Sequence, residues 1–263
     1  KSLIRAFELF FQNIKNIQNS QSIKNLYSEW VKISDQWLRN KMHKIKRIFF
    51  FIKKYGALSF INECIDKMID AYYEARFNIN TKGYVLKESL ENQHPDWIDY
   101  GAINYRHIIM VLNNLKIDAN TSTILDYGSG KGRVLSYAAS CNYKKIIGVE
   151  NSKFLMEIAK ENINKMNHRK TKDIIFEECN AENYEIPSSV NIIYFYNPFI
   201  GLTLEKVIKN IILSYKESPR KISIVFWNDA EFKKIISKYK LIKLMSSSHP
   251  HPFYSCGVYQ IEW

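Results

Sequence analysis

From residue 123 onward, short apolar runs alternate with longer stretches in which apolar positions return every third or fourth residue. Runs of the first kind suit strands buried on both faces; stretches of the second suit helices packed along one side. Strands are predicted over 123–127, 145–150, 173–179, 191–196 and 221–227, and helices over 104–115, 133–141, 153–166, 202–215 and 230–239. Such alternation argues an α/β, doubly wound fold: a mostly parallel sheet with helices on both faces. The end of the chain leaves that rhythm. Residues 241–246 and 255–263 read as two strands with no helix between them, which predicts an antiparallel C-terminal edge and seven strands in all.

Upstream, residues 2–73 hold no proline and a single glycine, Gly56, where a break between helices is expected. A helix is predicted after it, where Ile61, Ile65, Met68, Ile69 and Tyr72 recur at helical spacing. Between 76 and 99 the periodicity fails, and Asn80, Gly83, His94 and Pro95 supply turn chemistry. The expected organisation is an N-terminal helical region over 1–75, a linker and covering loop over 76–103, and a catalytic domain over 104–263.

Charge changes the picture mainly at the N-terminus. Residues 1–53 carry eleven Lys or Arg against three acids, most of the excess in a chain of net charge +12. Such a region attracts an acidic partner by salt-sensitive steering, or forms a solvated helical face. The stretch KMHKIKRIFFFIKK, residues 41–54, mixes bases with an apolar cluster and reads as a surface or partner-binding helix, or as one packed on its own domain. No apolar run approaches the roughly 20 residues that cross a bilayer, so no transmembrane segment is expected. Cys64, Cys141, Cys179 and Cys256 are scattered and form no C-x-x-C pair. That favours a reducing, cytoplasmic setting without disulfides or zinc. His249 and His251 have no Cys, Asp or Glu beside them, so they predict a turn between the last strands and not a metal site.

The candidate chemistry begins where the first sheet strand runs into Gly128-Ser129-Gly130-Lys131-Gly132-Arg133 and then a helix. Glycines there let a ligand approach the backbone outside the carboxyl ends of the strands. A dinucleotide loop wants a small residue three places after Gly130, where this chain has Arg133, and no G-K-[ST] follows for a nucleoside-triphosphate loop. Glu150 closes the next strand, about 20 residues beyond the glycine turn, where an acid takes a ribose diol or, alternatively, caps the following helix.

The loop resembles motif I of the class I S-adenosylmethionine-dependent methyltransferases, D-x-G-x-G-x-G, written here as Asp126, Gly128, Gly130 and Gly132. That resemblance implies S-adenosylmethionine as cofactor. The glycines would pack against its methionine and ribose parts, Asp126 would serve its α-amino group, and Glu150 its ribose. Asn180 and Ala181, after the third strand, would read the adenine, with Asn180 standing where the family commonly has Asp. Asn197-Pro198-Phe199, closing the fourth strand, resembles the (D/N)-P-P-(Y/F) motif of amino-group methyltransferases without its second proline. By that likeness Asn197 and the Pro198 carbonyl accept from the target nitrogen beside the cofactor, and Phe199 stacks next to it; a proline-terminated strand with Phe199 in the core is the other reading. Tyr100, in YGAINY, is similar to the tyrosine that lies over the cofactor in the seven-strand, non-SET histone lysine methyltransferases. The form ARFNINTKGYV, residues 75–85, is shared with bacterial class I methyltransferases of unassigned substrate. Together these imply N-methylation of an amine, with protein lysine favoured. O-methylation of a glycan or metabolite, and a non-catalytic binding module, are the alternatives.

Overall fold

The computed structural model describes residues 50–91, 94–251 and 254–261. The helices expected before residue 50, and most of the 41–54 stretch, lie outside the described residues. The chain divides into two compact units, residues 1–60 and 61–263. In the first, helical residues 50–55 stop at Gly56, whose φ of 87° falls in the left-handed region that interrupts a helix.

Helix α1 (Ala57–Phe77) begins in the first unit; in the second it is followed by a two-strand antiparallel pair, β1 (Tyr84–Val85) and β2 (Tyr100–Gly101), and by α2 (Tyr105–Asn114). Then come β3 (Thr123–Tyr127), α3 (Arg133–Ser140), β4 (Lys145–Glu150), α4 (Lys153–Lys165), β5 (Ile174–Glu178) and β6 (Val190–Phe195). The chain ends with α5 (Gly201–Glu217), β7 (Ile222–Trp227), α6 (Ala230–Ile236), β8 (Ile242–His251) and β9 (Tyr254–Ile261). Seven strands form one sheet in the order β5-β4-β3-β6-β7-β9-β8, parallel from β5 to β7, with β9 antiparallel to both of its neighbours. The predicted doubly wound sheet and its antiparallel edge are therefore present, with most boundaries within two residues; the exceptions are β8, which runs five residues further, and α6, which ends three residues earlier.

Strand alternation builds two cores, because successive side chains leave opposite faces. Leu125, Tyr127, Ile193 and Phe195 pack with Leu204, Val207 and Ile211 of α5 on one face. Ile124, Ile146, Ile192 and Tyr194 pack with Ile108 of α2, Leu135 of α3 and Phe77 of α1 on the other. The chain runs outward from β3 to β5 and then returns to lay β6 against the opposite side of β3. The crevice between the carboxyl ends of β3 and β6 is thus a topological switch point, where open α/β sheets take ligands.

In α1, Asp66, Glu74 and Phe77 are 1%, 4% and 1% exposed, whereas Ile61 and Met68 are 52% and 63% exposed and Ile69 packs against the core. Arg106 Nε lies 2.6 Å from Asp66, and Arg133 pairs with Asp70 at 2.9 Å and Glu74 at 3.0 Å. The buried Arg133 guanidinium requires carboxylate partners, which draws this acidic row inward. The segment over 76–103 holds β1, paired with β2. One expectation needs correction: β8 continues to His251, so His249 is an exposed strand residue and not part of a turn.

Candidate active site

An open cavity lies at the switch point. Of the residues singled out in the sequence, Tyr100, Asp126, Gly128, Glu150, Asn180, Ala181, Asn197, Pro198 and Phe199 line it. Gly130 does not line it but sits beneath a residue that does. Sequence reasoning missed Leu90, Trp97 and Asp99, which also line the cavity, as does Arg133 at the end of the glycine segment. The acidic row at 66, 70 and 74, spaced by four, is the signal that points to a buried arginine.

Two glycines are fixed by contact. A Cβ at Gly128 would lie 2.3 Å from Pro198 Cβ, and one at Gly130 would lie 2.3 Å from Tyr100 Cε2. Both have positive φ, 70° and 53°, so space and backbone each exclude a side chain. Gly128 therefore lets the ends of β3 and β6 touch, and Gly130 lets the Tyr100 ring lie on the loop. Lys131 Nζ stands 5.1 Å from that ring's centroid, on its π face.

The carboxylates differ in their surroundings. Asp126 is buried, and its carboxyl takes no hydrogen bond from any described residue. Burial first, and then the neighbouring Glu150 charge, push it well above the usual carboxylate range. Glu150 is raised by burial too, but three backbone N–H groups oppose that shift. Gly130 donates to its Oε2 at 2.8 Å, and Asn151 and Ser152 donate to its Oε1 at 3.0 Å each. Capping of α4 falls to Ser152, whose hydroxyl accepts from Leu155 N–H at 3.3 Å. Glu150 thus stitches the glycine loop to the end of β4 and leaves lone pairs facing the cavity.

On the far side, Asn180 Oδ1 accepts from Glu182 N–H at 3.3 Å and caps the short turn Ala181–Asn183. The β6 end turns at Asn197, whose φ of 48° is a left-handed conformation that Asn tolerates better than most residues. Its half-buried side chain makes no hydrogen bond among the described residues. The Pro198 carbonyl already accepts from Ile98 N–H at 3.3 Å. Phe199 is 4% exposed, packs edge-on against Tyr127 and Phe195, and pairs its backbone with Trp97. It is thus mainly a core residue whose edge reaches the cavity. Asp99, on the same wall, is held below the usual range first by the Tyr84 hydroxyl and then by Lys87 N–H.

A cofactor carrying an α-ammonium, a carboxylate and a ribose fits this set. Asp126 lacks a cationic partner, and the Ser129 hydroxyl is buried without a partner. Among the described residues no group of three His, Cys, Asp or Glu could hold a metal ion, and no helix is long and apolar enough to cross a membrane.

The model of a methyltransferase domain matches residues 124–216, from β3 into α5. No curated protein matches the chain. Among solved structures, a ribosomal protein L11 methylase from Lactobacillus delbrueckii subsp. bulgaricus is 12% identical, with a TM-score of 0.50 over 62% of this chain and 81% of that one. An RNA methyltransferase from Salinibacter ruber in complex with S-adenosyl-L-homocysteine is 15% identical, with a TM-score of 0.47 over 61% of this chain and 94% of that one. At such identities the likeness concerns the fold. The family match spans the glycine loop, Glu150, Asn180 and Asn197, and it is laid on a sheet whose strand order turns back beside that loop. Residues 124–216 thus resemble a methyltransferase domain, set in a seven-strand, mostly parallel sheet with an antiparallel C-terminal edge.

Proposed function

We propose that the chain methylates an amine nitrogen, with a protein lysine as the favoured acceptor. The observation that carries this reading is Asn197. It supplies an uncharged acceptor at the carboxyl end of β6, it touches no other described polar group, and its neighbour Pro198 abuts Gly128 of the cofactor loop. An amine must arrive at the methyl as the free base. A neutral amide oxygen orients it without stabilising the ammonium form as a carboxylate would. An alcohol acceptor needs a general base. Asp99, the carboxylate on the acceptor wall, is held low and is a poor one.

In this reading Gly128 and Gly130 hold the methionine and ribose portions, Asp126 pairs with the α-ammonium, Glu150 takes the ribose hydroxyls, and Asn180 with Ala181 reads the adenine edge. Tyr100 covers the loop. The bound cofactor supplies an activated methyl on its sulfonium. The protein's part is alignment and exclusion of water, contributions that can reach several kcal/mol without any covalent step. Pro198 has one carbonyl lone pair committed to Ile98, so Asn197 bears most of the orienting role. We also divide the chain into a helical region over 1–75, a covering segment over 76–103 and a catalytic domain over 104–263, with the basic first 53 residues serving to recruit an acidic partner.

The test is incubation with methyl-labelled cofactor and a size-fractionated cell extract, followed by mass spectrometry of the labelled product. Label on a lysine or another amine of a macromolecular fraction sustains the proposal. Label on a sugar or carboxyl oxygen overturns it.

A further inference from the structure

Between α1 and β1 the chain runs through Asn80, Thr81 and Lys82 without regular structure, yet every backbone polar group of these three residues is bonded. Asn80 N–H donates to Asn162 Oδ1 at 3.0 Å, and its carbonyl accepts from Asn162 Nδ2 at 3.1 Å. Thr81 N–H donates to Glu74 Oε2 at 2.9 Å, and its carbonyl accepts from the Tyr100 hydroxyl at 2.7 Å. Lys82 N–H donates to Asn80 Oδ1 at 3.3 Å, and its carbonyl accepts from Lys131 Nζ at 2.9 Å. A segment so fully bonded, with Thr81 buried at its centre, holds one conformation.

The Thr81 side chain is the node. Fully buried, its hydroxyl donates to Glu74 Oε1 and accepts from Arg133 Nε at 2.6 Å. A hydroxyl can serve a carboxylate and a guanidinium at once because it carries a proton and lone pairs. Arg133 directly follows the glycine loop, and its other nitrogens reach Asp70, Glu74 and the Ile103 carbonyl, while its guanidinium carbon lies 4.9 Å from the Tyr105 ring centroid. Thr81 therefore connects α1 to the start of α3 on one side and to Tyr100 on the other. Tyr100 in turn lies on Gly130 and lines the cavity.

We propose that Thr81, backed by Glu74 of α1, is a positioning residue for the cofactor: it fixes the Tyr100 ring over the glycine loop and makes α1 part of the binding machinery. Neither Thr81 nor Glu74 lines the cavity, so both act through Tyr100 and Arg133. Burial keeps the Tyr100 phenol protonated, so it remains a donor to the Thr81 carbonyl at neutral pH. The inference rests on the cofactor reading of the crevice.

The test measures S-adenosylhomocysteine affinity by calorimetry, and melting temperature without ligand, on the full chain and three variants. Tyr100→Phe and Thr81→Val should each weaken binding about 5- to 50-fold, the range for losing one or two partly buried hydrogen bonds that hold a binding group. Thr81→Ser keeps the bridging hydroxyl and should stay within about threefold of the parent, a difference below 1 kcal/mol. Unchanged affinity in both weakening variants, with only a lower melting temperature, would mean that Thr81 is a plain structural staple and overturns the proposal. If Thr81→Val does not fold, Tyr100→Phe decides alone, since it removes one hydroxyl from a half-buried ring. Failure of the unaltered chain to bind S-adenosylhomocysteine would instead remove the cofactor reading and this inference with it.

Discussion

Glu150→Ala is expected to weaken S-adenosylmethionine binding by at least about 100-fold and to erase most of the cofactor's stabilising effect. Two losses combine. The ligand would forfeit two charge-assisted hydrogen bonds from its ribose, each on the order of 1.5 to 3 kcal/mol where tenfold is about 1.4 kcal/mol. The protein would lose the carboxylate that receives Gly130, Asn151 and Ser152 N–H, which frees the glycine loop from the end of β4. At a ligand concentration about 100 times the parent dissociation constant, the parent gains about 2.7 kcal/mol of stability, whereas a variant bound 100-fold more weakly gains only about 0.4 kcal/mol. A thermal-shift titration separates these values easily. Glu150→Gln should fall between, because its amide NH₂ would face one of the N–H donors that the carboxylate now satisfies. An alanine variant that is stabilised as strongly as the parent would take Glu150 out of the site.

Asn197 should behave differently, with turnover lost and cofactor affinity kept. Because its φ is positive, alanine would add backbone strain to the loss of the amide, so Asn197→Gly is the cleaner substitution. That change should cut methyl transfer about 10- to 1,000-fold, corresponding to roughly 1.4 to 4 kcal/mol of transition-state positioning. The S-adenosylhomocysteine dissociation constant should move less than about threefold, because the glycine loop and Glu150 are untouched. Rates of label transfer into the acceptor fraction, set beside the binding constant, give the comparison. Near-parental transfer by Asn197→Gly would show that the amide does not orient the acceptor.

What could be read from the sequence was what local pattern encodes. β3 to β7 and their intervening helices follow from short-range periodicity, and the glycine loop follows from seven consecutive residues. What stayed hidden depends on partners far apart in the chain. The α1 face is a case: isoleucine and methionine at helical spacing mark the helix, but Asp66 and Glu74 are buried beside Phe77, and Arg133, 59 residues beyond Glu74, turns inward to meet Glu74. Arg133 itself stood out in the sequence only as the residue that spoils a dinucleotide loop. In the fold it ties α1 and the 79–82 segment to that same loop. β1 and β2 are two residues each and too short for periodicity to reveal. Side-chain roles carried over from motifs also shift once local bonds are visible: the Pro198 carbonyl is taken by Ile98, Asn180 caps its own turn, and Phe199 belongs chiefly to the core.

The most direct measurement is a crystal structure of the full chain grown with S-adenosylhomocysteine. The account places its ribose hydroxyls on Glu150, its amino group toward Asp126, its adenine against Asn180 and Ala181, and its sulfur facing Asn197 across the β3–β6 crevice. Ligand density elsewhere on the chain, or in the crevice with the ribose away from Glu150 and the sulfur away from Asn197, would contradict it.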